Sequence, residues 1–202
     1  MILCRAIFSL LVISLLGACA ALAPGQDAAT RSTPFDMLGR VLVSYDGRAF
    51  SSSVRWWHGE QYDELWLMTP AGQTLAHLRE DSMGATITST DQTAYHGSSA
   101  EALTRQALGW EFPLARLQHW VRGMPAPNSV ADIAERDSAG RITRMAQEGW
   151  RIRCEYSAAP EYEDLPRRIE VTGAAQSIRL VIDRWRRESQ SNESSQGISI
   201  TQ

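Results

Sequence analysis

The side chains able to do chemistry in this sequence are scattered. His58, His77, His96 and His119 include no pair at the spacing that places two imidazoles on one helical turn, and no His-Glu-x-x-His segment, Gly-x-Ser-x-Gly elbow or dinucleotide fingerprint is found. The adjacent carboxylates Asp63 and Glu64 would form an acid–base dyad only if they shared a face, and in a strand they point to opposite faces. Cys154 stands alone in an alternating apolar stretch, the setting of a small buried hydrophobe rather than a nucleophile. All 20 basic residues are Arg, which leaves neither a Schiff-base amine nor a phosphate-loop Lys. No catalytic residue, metal site or cofactor is expected.

The segment with a defined chemical fate lies at the start. Arg5 precedes an apolar run from Ala6 to Leu16 that is short for a bilayer span and reads as a targeting segment over residues 1–18. Leu16-Gly17-Ala18-Cys19 resembles a bacterial lipobox, in which small residues admit the signal peptidase and the cysteine sulfur then carries diacylglycerol. Two or three acyl chains on Cys19 would fix the chain to a membrane, each buried methylene contributing about 0.8 kcal/mol. By analogy with lipoprotein sorting, in which Asp after the lipidated cysteine causes inner-membrane retention, Ala20 implies an outer-membrane address on the periplasmic face.

Residues 19–34 are rich in Ala, Pro, Gly, Ser and Thr without periodicity, the composition of a tether, and residues 188–202 form a polar tail expected to be disordered. Between them, residues 35–187 are long enough for one domain. The net charge of −3 argues against nucleic acid as a partner, and 44% hydrophobic residues with seven Trp indicate a globular core.

The elements that must position any site are mostly strands. Period-two segments are expected at 36–44, 50–58, 62–68, 73–79, 85–89, 93–96, 130–135, 142–147, 150–156, 168–172 and 177–185. Asp46-Gly47 and Pro70-Ala71-Gly72 supply the backbone angles of tight hairpins. Ser98 with Glu101 has capping-box spacing for a first helix ending at Gly109; a second starts near Pro113 and stops at Gly123. Eleven antiparallel strands in so short a domain favour a strongly curved sheet or open barrel, its concave side filled by helices or a ligand. Alternation puts Trp150, Ile152, Cys154 and Tyr156 on one face of their strand and Ile178, Leu180 and Ile182 on one face of theirs. Leu117, Trp120 and Val121 of the second helix would cover them.

Several landmarks carry a family resemblance: Leu38-Gly39-Arg40, Trp57, Thr69 through Thr74, Leu108-Gly109, Pro113-Leu114, Trp120-Val121-Arg122-Gly123, Gln147 through Trp150, Leu165-Pro166 and Ile182 through Trp185. In their order and spacing the chain resembles the LolB family of outer-membrane lipoprotein receptors. The resemblance implies a mainly β, eleven-stranded open half-barrel with a lid of short helices over an apolar cavity. It also implies a monomer that accepts acylated lipoprotein from the periplasmic carrier LolA and delivers it into outer-membrane lipid. Exposing three acyl chains to water would cost on the order of 30 kcal/mol, so such cargo needs a cavity. With no nucleotide site, handover must run downhill in affinity.

On that reading the ten residues named above, from Leu117 to Ile182, are acyl-chain cavity candidates, and Pro70, Ala71 and Gly72 form a membrane-probing loop. The family usually has Leu where this chain has Ala71, a loss of about three carbons that weakens insertion by roughly 2 kcal/mol. The tether leaves little room for the family's N-terminal helix, implying a smaller lid. Two alternatives stay open: a lipid-anchored envelope hydrolase, which needs a nucleophile or metal cluster, and a scaffold lipoprotein, which needs no cavity.

Overall fold

A computed structural model describes residues 33–159, 162 and 164–186. The targeting segment, Cys19, residues 19–32 of the tether and the polar tail lie outside the described residues. The elements are β1 (Phe35–Tyr45), β2 (Arg48–His58), β3 (Tyr62–Met68), β4 (Thr74–Asp81), β5 (Gly84–Ser89), β6 (Ala94–Gly97), α1 (Ala100–Leu108), α2 (Leu114–Trp120), β7 (Ala131–Arg136), β8 (Ile142–Gln147), β9 (Trp150–Tyr156), β10 (Pro166–Thr172) and β11 (Gln176–Arg186).

All eleven described strands form one antiparallel sheet in the order β6-β5-β4-β3-β2-β1-β11-β10-β9-β8-β7. The sheet is a meander interrupted once. After β6 the chain leaves through α1 and α2, restarts at the far edge with β7, and returns until β11 pairs with β1 in the centre. Short β6 and solvent-facing β7 end the sheet without closing it.

Side-chain alternation sets the curvature and the core. Along β1, Phe35, Met37, Val41 and Val43 turn inward; along β9, Trp150, Ile152 and Cys154 turn inward while Arg151, Arg153 and Glu155 face water. Where β1 meets β11 a register irregularity falls between Leu38 and Gly39, and a Cβ at Gly39 would collide with the Val181 carbonyl oxygen. Asp46 and Gly47 both take positive φ, 45° and 69°, as the tight β1–β2 turn requires.

The cap of α1 differs from expectation. Ser99, not Ser98, is the N-cap, its hydroxyl oxygen accepting from the Ala102 N–H at 3.1 Å. The third helical position is therefore Ala102, and the reciprocal bond of a capping box cannot form. Glu101 is thereby released from capping and pairs with Arg116. At the other end of α1, Gly109 (φ 78°) stops the helix as the sequence implies.

Candidate functional site

An apolar cavity of about 960 Å³ lies between the concave face of β1–β6 and the helix α1. Strand register organises its wall in cross-strand rows. Met37, Trp56, Leu65, Leu78, Ile87 and Tyr95 are successive partners in one row; Val54, Leu67, Ala76 and Ser89 form the next toward the β3–β4 hairpin. Phe50, Leu75, Tyr95 and Leu108 line the cavity yet remain part-exposed to solvent, and so form its rim.

The row on the other side of Trp56 is different in kind. Phe35, His58, Asp63, Glu80 and Ala85 are successive partners there. The Trp56 indole N–H donates to Asp63 Oδ1 at 2.7 Å, and His58 Nδ1 stands 2.8 Å from the same oxygen. Phe35 packs edge-on against the indole at 5.0 Å. Glu80 faces the start of α1; burial raises its carboxyl to about 7, with Glu101, Asp63 and Asp81 adding to the rise and the Ala100 backbone opposing it. Asp63 shares this inner face, whereas Glu64 faces outward with Arg79 at 3.1 Å, so the neighbouring carboxylates do not meet.

The two helices cover the sheet in different ways. α2 fills the half built from β8–β11: Leu114, Leu117, Trp120 and Val121 are fully buried, and the Trp120 indole donates to Gln147 Oε1 at 2.8 Å. Gln147 also accepts from the Ala126 N–H and donates to the Ala126 carbonyl, fixing the connection that follows α2. Burial, with Arg122 and His58 alongside, pulls His119 down to about 4 and keeps it neutral. By contrast α1 presents Leu103, Thr104, Gln106 and Ala107 to open space. It is held by Arg116, which reaches Glu101 on α1 at 3.4 Å, Glu111 at 2.8 Å and Glu148 at 2.6 Å. Thr104 adds a second tie, accepting from the Phe112 N–H at 3.0 Å.

This division decides where the candidate side chains fall. Of the ten cavity candidates, Leu180 alone borders the cavity; Leu117, Trp120, Val121, Trp150, Ile152, Cys154, Tyr156, Ile178 and Ile182 do not. All but Tyr156 are buried in the part of the core that α2 fills, and Tyr156, half-buried, packs against that core. Cys154 packs beneath the Trp120 carbonyl, and burial pushes its thiol up to about 12, so it is neither a nucleophile nor an accessible labelling site. The Tyr156 hydroxyl donates to the Ile142 carbonyl at 2.9 Å under the Arg141 guanidinium. The lining comes instead from β1–β6, α1 and the connection after it, with Met37, Val41 and Val43 on β1 and Trp110 and Phe112 beyond α1; the inward alternation of these strands is as visible in the sequence as that of β9 and β11.

The loop candidates Pro70, Ala71 and Gly72 are exposed at the β3–β4 turn. The Gly72 N–H donates to the Thr69 carbonyl at 2.9 Å, and Gly72 takes φ 85° with open space around it. The turn lies at the rim, since Leu75 and Ala76 just beyond it line the cavity.

One unclosed antiparallel sheet keeping an apolar cavity under a helical cover defines a half-barrel of the hydrophobic-cavity class. In fold it is similar to a protein of the DUF1329 family from Desulfovibrio piger, with a TM-score of 0.52 at 9% identity over 86% of this chain and 90% of that one. The chain belongs to the LolB family: the profile described as outer membrane lipoprotein LolB matches residues 33–185. It is 34% identical over 170 residues to the outer-membrane lipoprotein LolB of Nitrosomonas europaea, covering 83% of this chain and 80% of that one. It is likewise 34% identical over 177 residues to that of an Azoarcus species, covering 85% and 90%.

Proposed function

We propose that the chain, anchored through lipid on Cys19 to the periplasmic face of the outer membrane, accepts acylated lipoproteins from the carrier LolA. The cargo's acyl chains occupy the cavity beneath α1, and the cargo is then released into the outer membrane. The chain acts as a monomer and as a receptor rather than an enzyme.

The observation that carries this reading is the cavity, whose lining is mainly apolar, with Ser89, His96, Thr104 and Gln106 among its few polar members. A cavity of 150 Å³ that holds benzene sets a scale of about 25 Å³ per carbon. On that scale 960 Å³ takes roughly two sixteen-carbon chains. Further hydrocarbon would lie against the part-exposed rim of Phe50, Leu75, Tyr95 and Leu108. Pro70, Ala71 and Gly72 beside that rim would meet the bilayer as cargo leaves. The stretch from Met68 to Ala76, which includes this turn, contains no Asp, Glu, Arg or His, so its approach to lipid desolvates no formal charge.

The test is reconstitution. Carrier loaded with radiolabelled lipoprotein is mixed with liposomes bearing the chain, and label should move from carrier to liposome only when the chain is present. Label that stays on a carrier competent with another LolB-family receptor would remove the reading.

A further inference from the structure

We propose that Trp56 is a fixed end-wall of the cavity and sets how deep a hydrocarbon chain can enter. The proposal rests on the reading above, that acyl chains occupy this space. Its ground is the abrupt change between two neighbouring rows of side chains.

On one side of Trp56 the concave face is apolar and open, through Leu67 and Ala76 to the rim. On the other, two residues further along each strand, stand His58, Asp63 and Glu80. The indole between them has no freedom to swing. Its N–H is held by Asp63 at 2.7 Å, its ring is braced by Phe35, and it is wholly buried. His58, itself only 5% exposed, lies on the same Asp63 oxygen and steadies it.

A methyl terminus pushing past the ring would separate Asp63 from its indole donor and place hydrocarbon against the buried His58 and the part-buried carboxyl groups of Asp63 and Glu80, which it cannot hydrogen-bond. A longer acyl chain therefore gains no depth, and its surplus remains at the rim. One row along a strand spans about 6.6 Å, or roughly five methylenes of an extended chain, whose tetrahedral angles reduce each bond of about 1.5 Å to about 1.3 Å along the axis.

Lysophospholipids of graded acyl length, each with a photoreactive diazirine at the terminal carbon, test this with the full chain in liposomes. After irradiation, labelled residues are mapped by mass spectrometry. In the unmodified chain, terminal-carbon labelling should reach Trp56 and its row partners Met37 and Leu65 once the acyl chain is long enough, and go no further at any greater length. Label on His58, Asp63 or Glu80 would overturn the wall. In Trp56→Leu, with the fold checked by circular dichroism, the length giving strongest deep labelling should rise by about five methylenes. An unchanged optimum in a folded variant would also overturn it. If Trp56→Leu does not fold, the mapping on the unmodified chain decides by itself. Label confined to the outside of the cavity at all lengths would remove the transport reading and the wall with it, whereas deep label beyond Trp56 removes the wall alone.

Discussion

The Gln147 carboxamide closes on the Trp120 indole at 2.8 Å, and through this contact β8 holds α2 against the sheet. Gln147 also serves both backbone groups of Ala126, so three buried polar atoms depend on one side chain. Gln147→Leu would leave them unpaired at about 1–3 kcal/mol each, not additively, and we expect a loss of about 3 kcal/mol or more. Urea unfolding measures this; an unmoved midpoint would mean that α2 is held by its apolar face alone.

Arg116 ties α1 to the rest of the domain through Glu101, while Glu111 and Glu148 hold the guanidinium in place. Arg116→Met keeps the stem and removes the charge. Hydrogen exchange should then speed up at the amides of α1 while those of α2, locked by Trp120 and Gln147, stay slow. Equal loosening of both helices would contradict the division between a fixed helix and a lightly tied one.

Burial holds the Glu80 carboxyl near 7, well above its ordinary 4.5. A raised pKa favours the protonated form in the folded state, so the stability it confers is complete below about 4.5 and is lost as pH rises through 7. Glu80→Gln should therefore stabilise the protein above pH 7 by about 1 kcal/mol, allowing for solvent screening of a part-exposed group, and flatten the decline of Tm with pH. Parallel Tm–pH curves for the two proteins would show that Glu80 does not titrate in this range.

Ala71 offers one methyl group at the tip of an uncharged turn. If that turn meets lipid, Ala71→Leu adds about three carbons, worth roughly 2 kcal/mol on insertion, and lipoprotein release into liposomes should rise several-fold. A yield that stays level or falls would count against a membrane-probing tip. Gly72→Ala has room for its methyl group but must hold φ at 85°, so it should cost about 1 kcal/mol of stability.

Strand alternation and turn chemistry made the sheet readable in advance. Asp46-Gly47 and the inward series Trp150, Ile152 and Cys154 each depend on a few neighbouring residues, and each stands where that local pattern puts it. The position of the cavity depended on a comparison between helices that alternation does not make. α2 brings Leu114, Leu117 and Trp120 and fills the space it covers; α1 brings Leu103 with Ala100, Thr104 and Ala107, and so leaves room. Side-chain volume along the helices, rather than oiliness along the strands, was the signal for the open half. The polar row of His58, Asp63 and Glu80 was beyond reach because its members come from three strands and meet only through register.

The pairing of β1 with β11 carries a consequence for how the molecule is made. Arg40 and Asp183, joined across this pair, are 143 positions apart in the chain, so the middle of the sheet waits for almost the last residues of the domain to be translated. A nascent chain short of β11 has β1 and β10 each with one side unpaired and cannot reach its final form. Truncations that remove β11 therefore leave the two halves of the sheet unjoined, with β1 and β10 each presenting an open edge.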